Sequence, residues 1–360
     1  MMEILDPARD GDRIAAVLAR PGYRLVDAWT PAVEEYRALD PAAGPIDVRY
    51  VVYEYRRLVV KMTNAVTHYR LCTTRNRHLI DDLEQARWAA APIGVAGLSV
   101  GASALSVCAL TGARRFRIAD PDRLGLTNLN RLPASVCDIG MRKTTLAYRR
   151  VLELDPYAEV SVFDEGITAD TVDEFLGLNP GGEPLAVLVE EMDDAAAKID
   201  VRRRARAAGI PVVMATDNGD NVILDVERFD LDRAYPLLHG AAEAVPDPAP
   251  EASTDPRRRA ATAARIVGAD ITPRTRFSLT EVGASLRSWP QLGTAATVAG
   301  ATAAYAARLI VCGDPLPSGR FRVDLDRALL GAAADTATRW NELDRADFLA
   351  AMATDDPTQG

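Results

Sequence analysis

The chain has 360 residues, of which 48% are hydrophobic and 26% charged, enough apolar material for one large or two modest soluble domains. Its formal net charge of −9 argues against a general nucleic-acid binder, because such a protein needs a basic face. The four cysteines form no CxxC pair and the three histidines are scattered, so neither a disulfide framework nor a zinc cluster is indicated.

The N-terminus lacks the basic, apolar and small-residue pattern of a secretory signal. The most apolar run, residues 295–312, is interrupted by Thr297, Thr302 and Arg308, and its many Ala and Gly residues are typical of a tightly packed soluble helix. We therefore expect a cytoplasmic protein without a membrane partner.

The pattern of elements changes near Pro92. Residues 1–88 alternate helical patterns with proline breaks and predict a helical N-terminal extension. Short apolar strands and helices then alternate, with strands over 93–96, 116–119, 159–163, 185–190 and 211–215 and helices over 102–110, 144–154, 168–176 and 195–208. This alternation predicts an α/β fold with a Rossmann-like, doubly wound, mostly parallel sheet.

The alternation stops between residues 239 and 273, a stretch rich in Pro, Ala, Asp and Arg with few large apolar residues. Its composition predicts a mobile loop that is a candidate cover for a substrate. A helix over 291–312 and a strand over 320–323 close the fold, and residues 333–360 are predicted to form a C-terminal tail.

Gly97, Ser99 and Gly101 lie where the first strand of the sheet turns into a helix. Glycine lets the backbone approach a phosphate, and a helix N-terminus offers free N–H groups and a partial positive charge. Ser99 stands where a dinucleotide fingerprint has glycine, so the pattern is degenerate. The alternative is that both glycines serve only the close packing of helix on strand.

Asp120 ends the second strand, at the interval typical of an acid that binds ribose hydroxyls in ATP and NAD sites alike. Asp122 either points to the same side or is a turn residue after Pro121. These two acids do not distinguish an ATP site from a dinucleotide site.

The amide and cationic side chains that follow, Asn128, Asn130, Arg131 and Lys143, are more selective. A nicotinamide enzyme does not need a cationic cluster there, whereas nucleotidyl transfer must neutralise charge on the α-phosphate and the leaving pyrophosphate. The alternative for any single Arg or Lys is a solvated surface residue.

Residues 190–194 place acids at the end of another buried strand, on the edge that faces the ligand crevice. We single out Asp193, with Lys198 five residues on, as a candidate ligand for Mg2+ that arrives with ATP phosphates. Some of these acids also suit the N-terminus of the next helix through its dipole.

This set of motifs resembles the ThiF/MoeB/HesA family of adenylyltransferases, which are related to ubiquitin-activating enzymes. The resemblance implies an adenylation domain over residues 89–332 that uses ATP and Mg2+. By the resemblance, Asp120 holds the ribose, Asn128, Arg131 and Lys143 hold the phosphates, and Asp193 holds Mg2+ and orients the α-phosphate. It also implies a homodimer in which an arginine of the partner subunit, Arg75 or Arg77, reaches the γ-phosphate.

The family's substrates are carboxylates, so we expect the C-terminus of a small protein or peptide, or a small metabolite, to be activated as an acyl-adenylate. The chain departs from the family in having few loop glycines, no pair of CxxC motifs and no cysteine over residues 210–290. These departures predict transfer without an enzyme thioester, with a bound amine as one possible acceptor. Two alternatives stay open at this point: an NAD-dependent oxidoreductase, and a non-catalytic nucleotide-binding scaffold of the same fold.

Overall fold

A computed structural model describes residues 2–244, 256–336 and 339–353 of the chain. Its N-terminal part is a four-stranded sheet of order β1-β3-β4-β2 with helices packed around it. The elements are β1 (Met2–Leu5), α1 (Pro7–Leu18), β2 (Arg24–Asp27), α2 (Trp29–Leu39), β3 (Val48–Tyr53), β4 (Leu58–Thr63), α3 (Ala65–Cys72) and α4 (Asp82–Ala90).

The N-terminal extension is thus not all-helical, and the sequence prediction missed its four strands. Residues 48–53 and 58–63 are rich in Val, Tyr, Met and Thr, which favour a pleated, half-buried strand. Arg57, with a φ of 48°, makes the left-handed turn that pairs them as an antiparallel hairpin. The proline breaks used for the prediction fall outside this hairpin.

The second sheet has seven strands in the order β11-β10-β9-β8-β5-β6-β7. Its first half consists of β5 (Pro92–Ala96), α5 (Val100–Leu110), β6 (Arg115–Ala119), α6 (Lys143–Leu154) and β7 (Glu159–Phe163). Its second half consists of α7 (Val172–Leu176), β8 (Val187–Glu190), α8 (Ala195–Ala208), β9 (Val212–Asn218), β10 (Asn221–Glu227), α11 (Gly293–Cys312) and β11 (Gly319–Val323). Strands β5 to β9 are parallel, so the predicted doubly wound sheet is confirmed.

The sheet is larger than predicted, because an antiparallel hairpin of β9 and β10 extends it. Strand β9 runs to Asn218 and turns at Gly219, whose φ of 71° suits glycine, into β10. Strand β10 is fully buried and pairs with β11 on its other side.

Helices cover both faces of this sheet. Helices α5, α6 and α11 pack on one face and α7 and α8 on the other. Helix α11 is, among the described residues, long and apolar enough to cross a membrane by length and composition, but 56% of its apolar window is buried inside the molecule. A Cβ at Gly300 would lie 2.4 Å from that of Ser103, so α11 and α5 are in close contact. As predicted, the apolar run is a packed core helix.

The segments expected to be irregular contain helices. Residues 237–244 form a 3-10 segment, α9 (Pro256–Val267) and α10 (Pro273–Thr280) follow, and residues 245–255 of the predicted mobile loop lie outside the described residues. The C-terminal segment holds α12 (Leu325–Leu330), α13 (Ala333–Thr336) and α14 (Arg345–Ala353). Phe348 is 1% exposed in a cluster with residues of α9 and α10, so α14 is anchored rather than a free tail. The domain boundaries proposed from the sequence, after residues 88 and 332, remain predictions.

Candidate nucleotide site

The order of the strands brings the carboxyl ends of β5 and β8 side by side, where the crossovers switch from one face of the sheet to the other. In open α/β sheets ligands bind in the crevice at this point. Gly97 follows β5 with a φ of +86°, and a Cβ there would lie 2.3 Å from the carbonyl oxygen of Glu191. Gly97 is therefore required for its backbone conformation and for the contact with the end of β8.

The turn between β5 and α5 leaves amide donors free. Leu98 donates its N–H to Asp120 at 2.6 Å, and Ser99 precedes α5 without capping it. Within the described part of the chain, the N–H groups of Ser99, Val100 and Gly101 make no backbone or side-chain hydrogen bond. A helix N-terminus with unused donors suits a phosphate.

Asp120, which is 4% exposed, fixes this turn from the end of β6. Its Oδ2 accepts from Leu98 and its Oδ1 accepts from the Asp122 N–H at 2.8 Å. A carboxylate has about four acceptor positions, so room for one ribose hydroxyl remains. The ribose role of Asp120 stays a prediction.

Lys143 begins α6 and lies between the two acids. Its Nζ donates to Asp122 Oδ2 at 2.7 Å and lies 3.5 Å from Asp120 Oδ2. Lys143 is buried, while the Asp122 side chain is 65% exposed. The buried ammonium is therefore paired with one carboxylate that is fixed and one that is free to move into solvent.

The segment after β6 carries Arg131 to the glycine turn. Its Nε donates to Ser99 Oγ at 2.8 Å, and its Nη1 donates to Asn130 Oδ1 at 3.0 Å. Asn130 in turn donates to the Gln291 carbonyl at 2.8 Å. Asn128 Oδ1 accepts from the Gly125 N–H at 2.9 Å, so in this structure Asn128 stabilises its own turn.

Asp193 follows β8 and is exposed to the crevice. Loss of hydration at this position raises the pKa of Asp193 above its ordinary value. The positive charges of Lys198, Lys143 and Arg131 act to lower it. The strand-end acid therefore interacts electrostatically with cations that were predicted from separate motifs. The described residues contain no group of three or more His, Cys, Asp or Glu side chains that suits a resident metal ion.

Lys198 does not point freely into the crevice. Its Nζ donates to both oxygens of Glu190, at 2.9 and 2.8 Å, and Arg202 pairs with Glu190 and with Glu227. Burial alone would raise the pKa of Glu190, but Lys198 and Arg202 hold it below the ordinary range. This buried ionic network joins the end of β8 to α8, the two elements that flank Asp193 in the chain.

The sequence analysis missed Asp217, near the end of β9. It is 2% exposed, and in the described residues no donor meets either carboxylate oxygen with hydrogen-bond geometry. Burial raises the pKa of Asp217 to about 7, and Gln291 and Arg131 act to lower it. The rule that identified Asp120 and Asp193, an acid at a strand end, applies here too, but the predicted strand stopped at residue 215.

Arg75 and Arg77 do not join this cluster within one chain. They lie in or next to the 3-10 turn Thr74–Asn76, whose Asn76 donates to the Thr111 carbonyl at 3.1 Å. Thr111 follows the last residue of α5, and the glycine turn precedes the first. An 11-residue helix separates the two places by roughly 16 Å at 1.5 Å per residue. The role of Arg75 or Arg77 at the γ-phosphate of a partner subunit's site stays a prediction.

The free cysteines among the described residues are Cys72, Cys108, Cys137 and Cys312. Cys108 is buried within α5, and burial raises its pKa to about 12. Cys137 is exposed in the loop after Arg131. Burial also raises the pKa of the Cys72 and Cys312 thiols above the ordinary value.

Comparisons with known proteins identify relatives of the chain. Uncharacterized protein MT1398 of Mycobacterium tuberculosis (strain CDC 1551 / Oshkosh) is 36% identical over 315 residues, which cover 86% of this chain and 43% of that protein. Ubiquitin-like modifier-activating enzyme 5 of Drosophila erecta is 27% identical over 153 residues, 40% of this chain and 37% of that enzyme. The chain therefore spans less than half the length of either relative.

Among solved structures, that of PaaA in its selenomethionine form shares the fold, with a TM-score of 0.50 and 16% identity over 72% of this chain and 77% of that one. The model of the ThiF family matches residues 73–318, which include the glycine turn, all the clustered acids and cations, and the core helix α11. This match covers well over half of the sequence, and the chain belongs to the ThiF family.

Proposed function

We propose that the protein is an ATP-dependent adenylyltransferase that activates a substrate carboxylate as an acyl-adenylate and releases pyrophosphate. The observation that supports this proposal is that Arg131 donates to Ser99 of the glycine turn, while Lys143 pairs with Asp122 and lies beside Asp120, which fixes the same turn. A dinucleotide site needs the turn and Asp120 but has no use for two cations beside them. Membership of the ThiF family, and the name of the modifier-activating relative, support the same reading.

This reaction depends on stabilising the negative charge that develops on the phosphates rather than on covalent catalysis by the enzyme. When a carboxylate oxygen attacks the α-phosphate, negative charge grows on the phosphoryl oxygens and on the leaving pyrophosphate. The free amides before α5 and the guanidinium of Arg131 are fixed donors for that charge, and fixed donors need no reorganisation during the reaction. Lys143 supplies a second cation once a phosphate takes the place of Asp122.

Mg2+ fits this donor set as an ion that arrives with the nucleotide. It is usually bound by one or two carboxylates together with substrate phosphates, so Asp193, with Asp122 beside it, is sufficient. When bound, the ion would neutralise charge on the phosphates of ATP.

The substrate we propose is the C-terminus of a small protein or peptide, or a small carboxylate metabolite. No nucleic acid or membrane partner is needed for this reaction, and the net charge of −9 is unfavourable for both phosphate-rich surfaces. The active form we propose is a cytoplasmic homodimer.

Binding and exchange measurements test the proposal. Calorimetry is expected to show that ATP with Mg2+ binds far more tightly than NAD+. ATP–pyrophosphate exchange, screened with pooled amino acids and short peptides as carboxylates, is expected in wild type and is expected to be abolished by Asp193→Asn. Asp12→Asn, an exposed change on α1, is the matched control. Tight binding of NAD+ without a response to ATP would refute the proposal, and ATP binding with no exchange would favour the scaffold.

We further propose that the acyl group leaves the adenylate without visiting an enzyme thiol. A nucleophilic cysteine needs thiolate character and access to the adenylate, whereas burial raises the pKa of Cys72, Cys108 and Cys312, and residues 210–290 contain no cysteine. A variant with all four cysteines changed to serine or alanine is expected to retain exchange and product formation. A reducible acyl-enzyme that is lost on changing Cys137 would restore a thioester mechanism.

A further inference from the structure

We propose that Asp217 is the general base that accepts the proton of an amine acceptor, so that the second half of the reaction is aminolysis of the acyl-adenylate. This inference rests on the proposed function and names the class of acceptor. Asp217 lies at the carboxyl end of β9, next to the end of β8 where Asp193 stands. Its carboxylate interacts electrostatically with Arg131, and Arg131 donates a hydrogen bond to Ser99 of the glycine turn.

The first argument is that the fold does not use the Asp217 carboxyl. Buried carboxylates are normally ion-paired or hydrogen-bonded, since burial of an isolated charge is costly. The Asp217 side chain is 2% exposed, yet among the described residues neither oxygen has an ion pair or a donor in good hydrogen-bond geometry, and the Gln291 side chain is the polar group that approaches it. The Trp289 indole donates to the backbone carbonyl of Asp217, at 3.3 Å, and leaves the carboxyl alone.

The second argument is that the other basic groups near this edge are occupied. Glu191 accepts the Ala215 N–H at 2.8 Å, and Glu190 is held by Lys198 and Arg202. The histidines of the chain lie elsewhere: His239 is bonded to Asp225, His68 contacts the Leu154 carbonyl, and His78 lies in the turn before α4. Asp193 is exposed among the cations that suit phosphates.

The third argument concerns the charged groups that face Asp217. Arg131 lies on one side, Glu191 on another, and the polar Gln291 side chain approaches it from the segment before α11. The burial that raises the pKa of Asp217 to about 7 makes it a stronger base than an ordinary carboxylate. A base with a pKa near the working pH is the effective one.

The step balances as follows. The ammonium form of the acceptor gives one proton to Asp217, and its nitrogen lone pair attacks the acyl carbon. A C–N bond forms, the C–O bond to the phosphate breaks, and AMP leaves with the electron pair of that bond. The second proton of the nitrogen passes to solvent, and the product is an amide. Access to Asp217 requires that the acceptor displace Gln291, whose backbone carbonyl is held by Asn130.

Two nucleophiles separate this role from a structural one. With the carboxylate found by the exchange screen, pyrophosphate release is driven either by glycinamide, which must lose a proton before attack, or by hydroxylamine, which is largely uncharged at neutral pH. Asp217→Asn is expected to keep exchange and hydroxylamine turnover within a few-fold of wild type. Glycinamide turnover is expected to fall ~10²-fold or more, the usual contribution of a general base.

Asp217→Glu is expected to recover part of the glycinamide rate, and Asp220→Asn, an exposed change in the adjoining turn, is expected to change nothing. The wild-type glycinamide rate should show an inflection near pH 7 that Asp217→Asn lacks. Equal loss of both turnovers, or no loss in either, overturns the inference while exchange in wild type still supports the proposed function. Absence of exchange in wild type overturns both.

Discussion

Asp217→Asn is expected to make the protein more stable at alkaline pH. Burial raises the pKa of Asp217 from 3.8 to about 7, a difference of roughly 3 pK units at about 1.36 kcal/mol each. The folded state keeps the proton up to about pH 7, whereas the unfolded chain releases it near pH 3.8. Stability therefore falls as pH rises through this window, and the full penalty of ~4 kcal/mol is present at pH 8. Asparagine carries no such penalty.

Thermal unfolding at pH 4.5 and at pH 8 measures the effect. With about 2.1 cal/mol/K of unfolding entropy per residue, ~4 kcal/mol over 360 residues corresponds to a rise of roughly 5 °C at pH 8. Little difference is expected at pH 4.5, because wild type is then protonated at this site. Asp220→Asn should show no such pH dependence. A variant that is less stable than wild type at pH 8 would mean that the carboxylate has a partner, and the reasoning would be wrong.

Three further outcomes follow from the site. Gly97→Ala should weaken ATP binding and lower the free energy of unfolding by ~2 kcal/mol or more, because the added Cβ would collide with the end of β8 and the φ of residue 97 is left-handed. An unchanged Kd for ATP by calorimetry would contradict this. Lys143→Met should weaken ATP binding about 10- to 100-fold by calorimetry, as expected for loss of a charge-assisted contact, and an unaltered Kd would place the phosphates elsewhere. Mixing an Arg75→Ala/Arg77→Ala chain with an Asp193→Ala chain should restore part of the exchange activity, whereas a fully active monomer on sedimentation would exclude the shared site.

Residue patterns predicted the parallel half of the main sheet because each strand there is buried on both faces and bounded by a helix. The predicted helix over 195–208 matches α8, since Asp194 caps its start and Gly209, with a φ of 75°, ends it. The hairpin of β3 and β4 was missed because the prolines before it, the last of them Pro45, drew attention to breaks rather than to the strand-forming residues that follow.

Sequence patterns predicted some residues of the candidate site but not the contacts that depend on packing between elements. Asp120, Arg131 and Lys143 were found because they follow predicted strand ends in chain order. The pairing of Lys198 with Glu190 was not predictable, because it depends on which turn of α8 lies over β8. Among the described residues, no donor meets the Asp217 carboxylate in hydrogen-bond geometry. This was not predictable either, because it depends on which side chains the fold brings near Asp217.

If the proposed site binds a nucleotide, the pairing of Lys143 with Asp122 is expected to make it selective for highly charged ligands. The Lys143 ammonium already has a counter-ion within the chain, Asp122 Oδ2 at 2.7 Å. A singly charged anion that binds there exchanges one ion pair for another and gains little, because Asp122 must be displaced for it. A polyphosphate brings several charges that also reach Arg131 and the free amides before α5. In the proposed nucleotide site, Asp122 is therefore expected to compete with chloride and similar monovalent anions for Lys143, and to be displaced by the polyphosphate of a nucleotide.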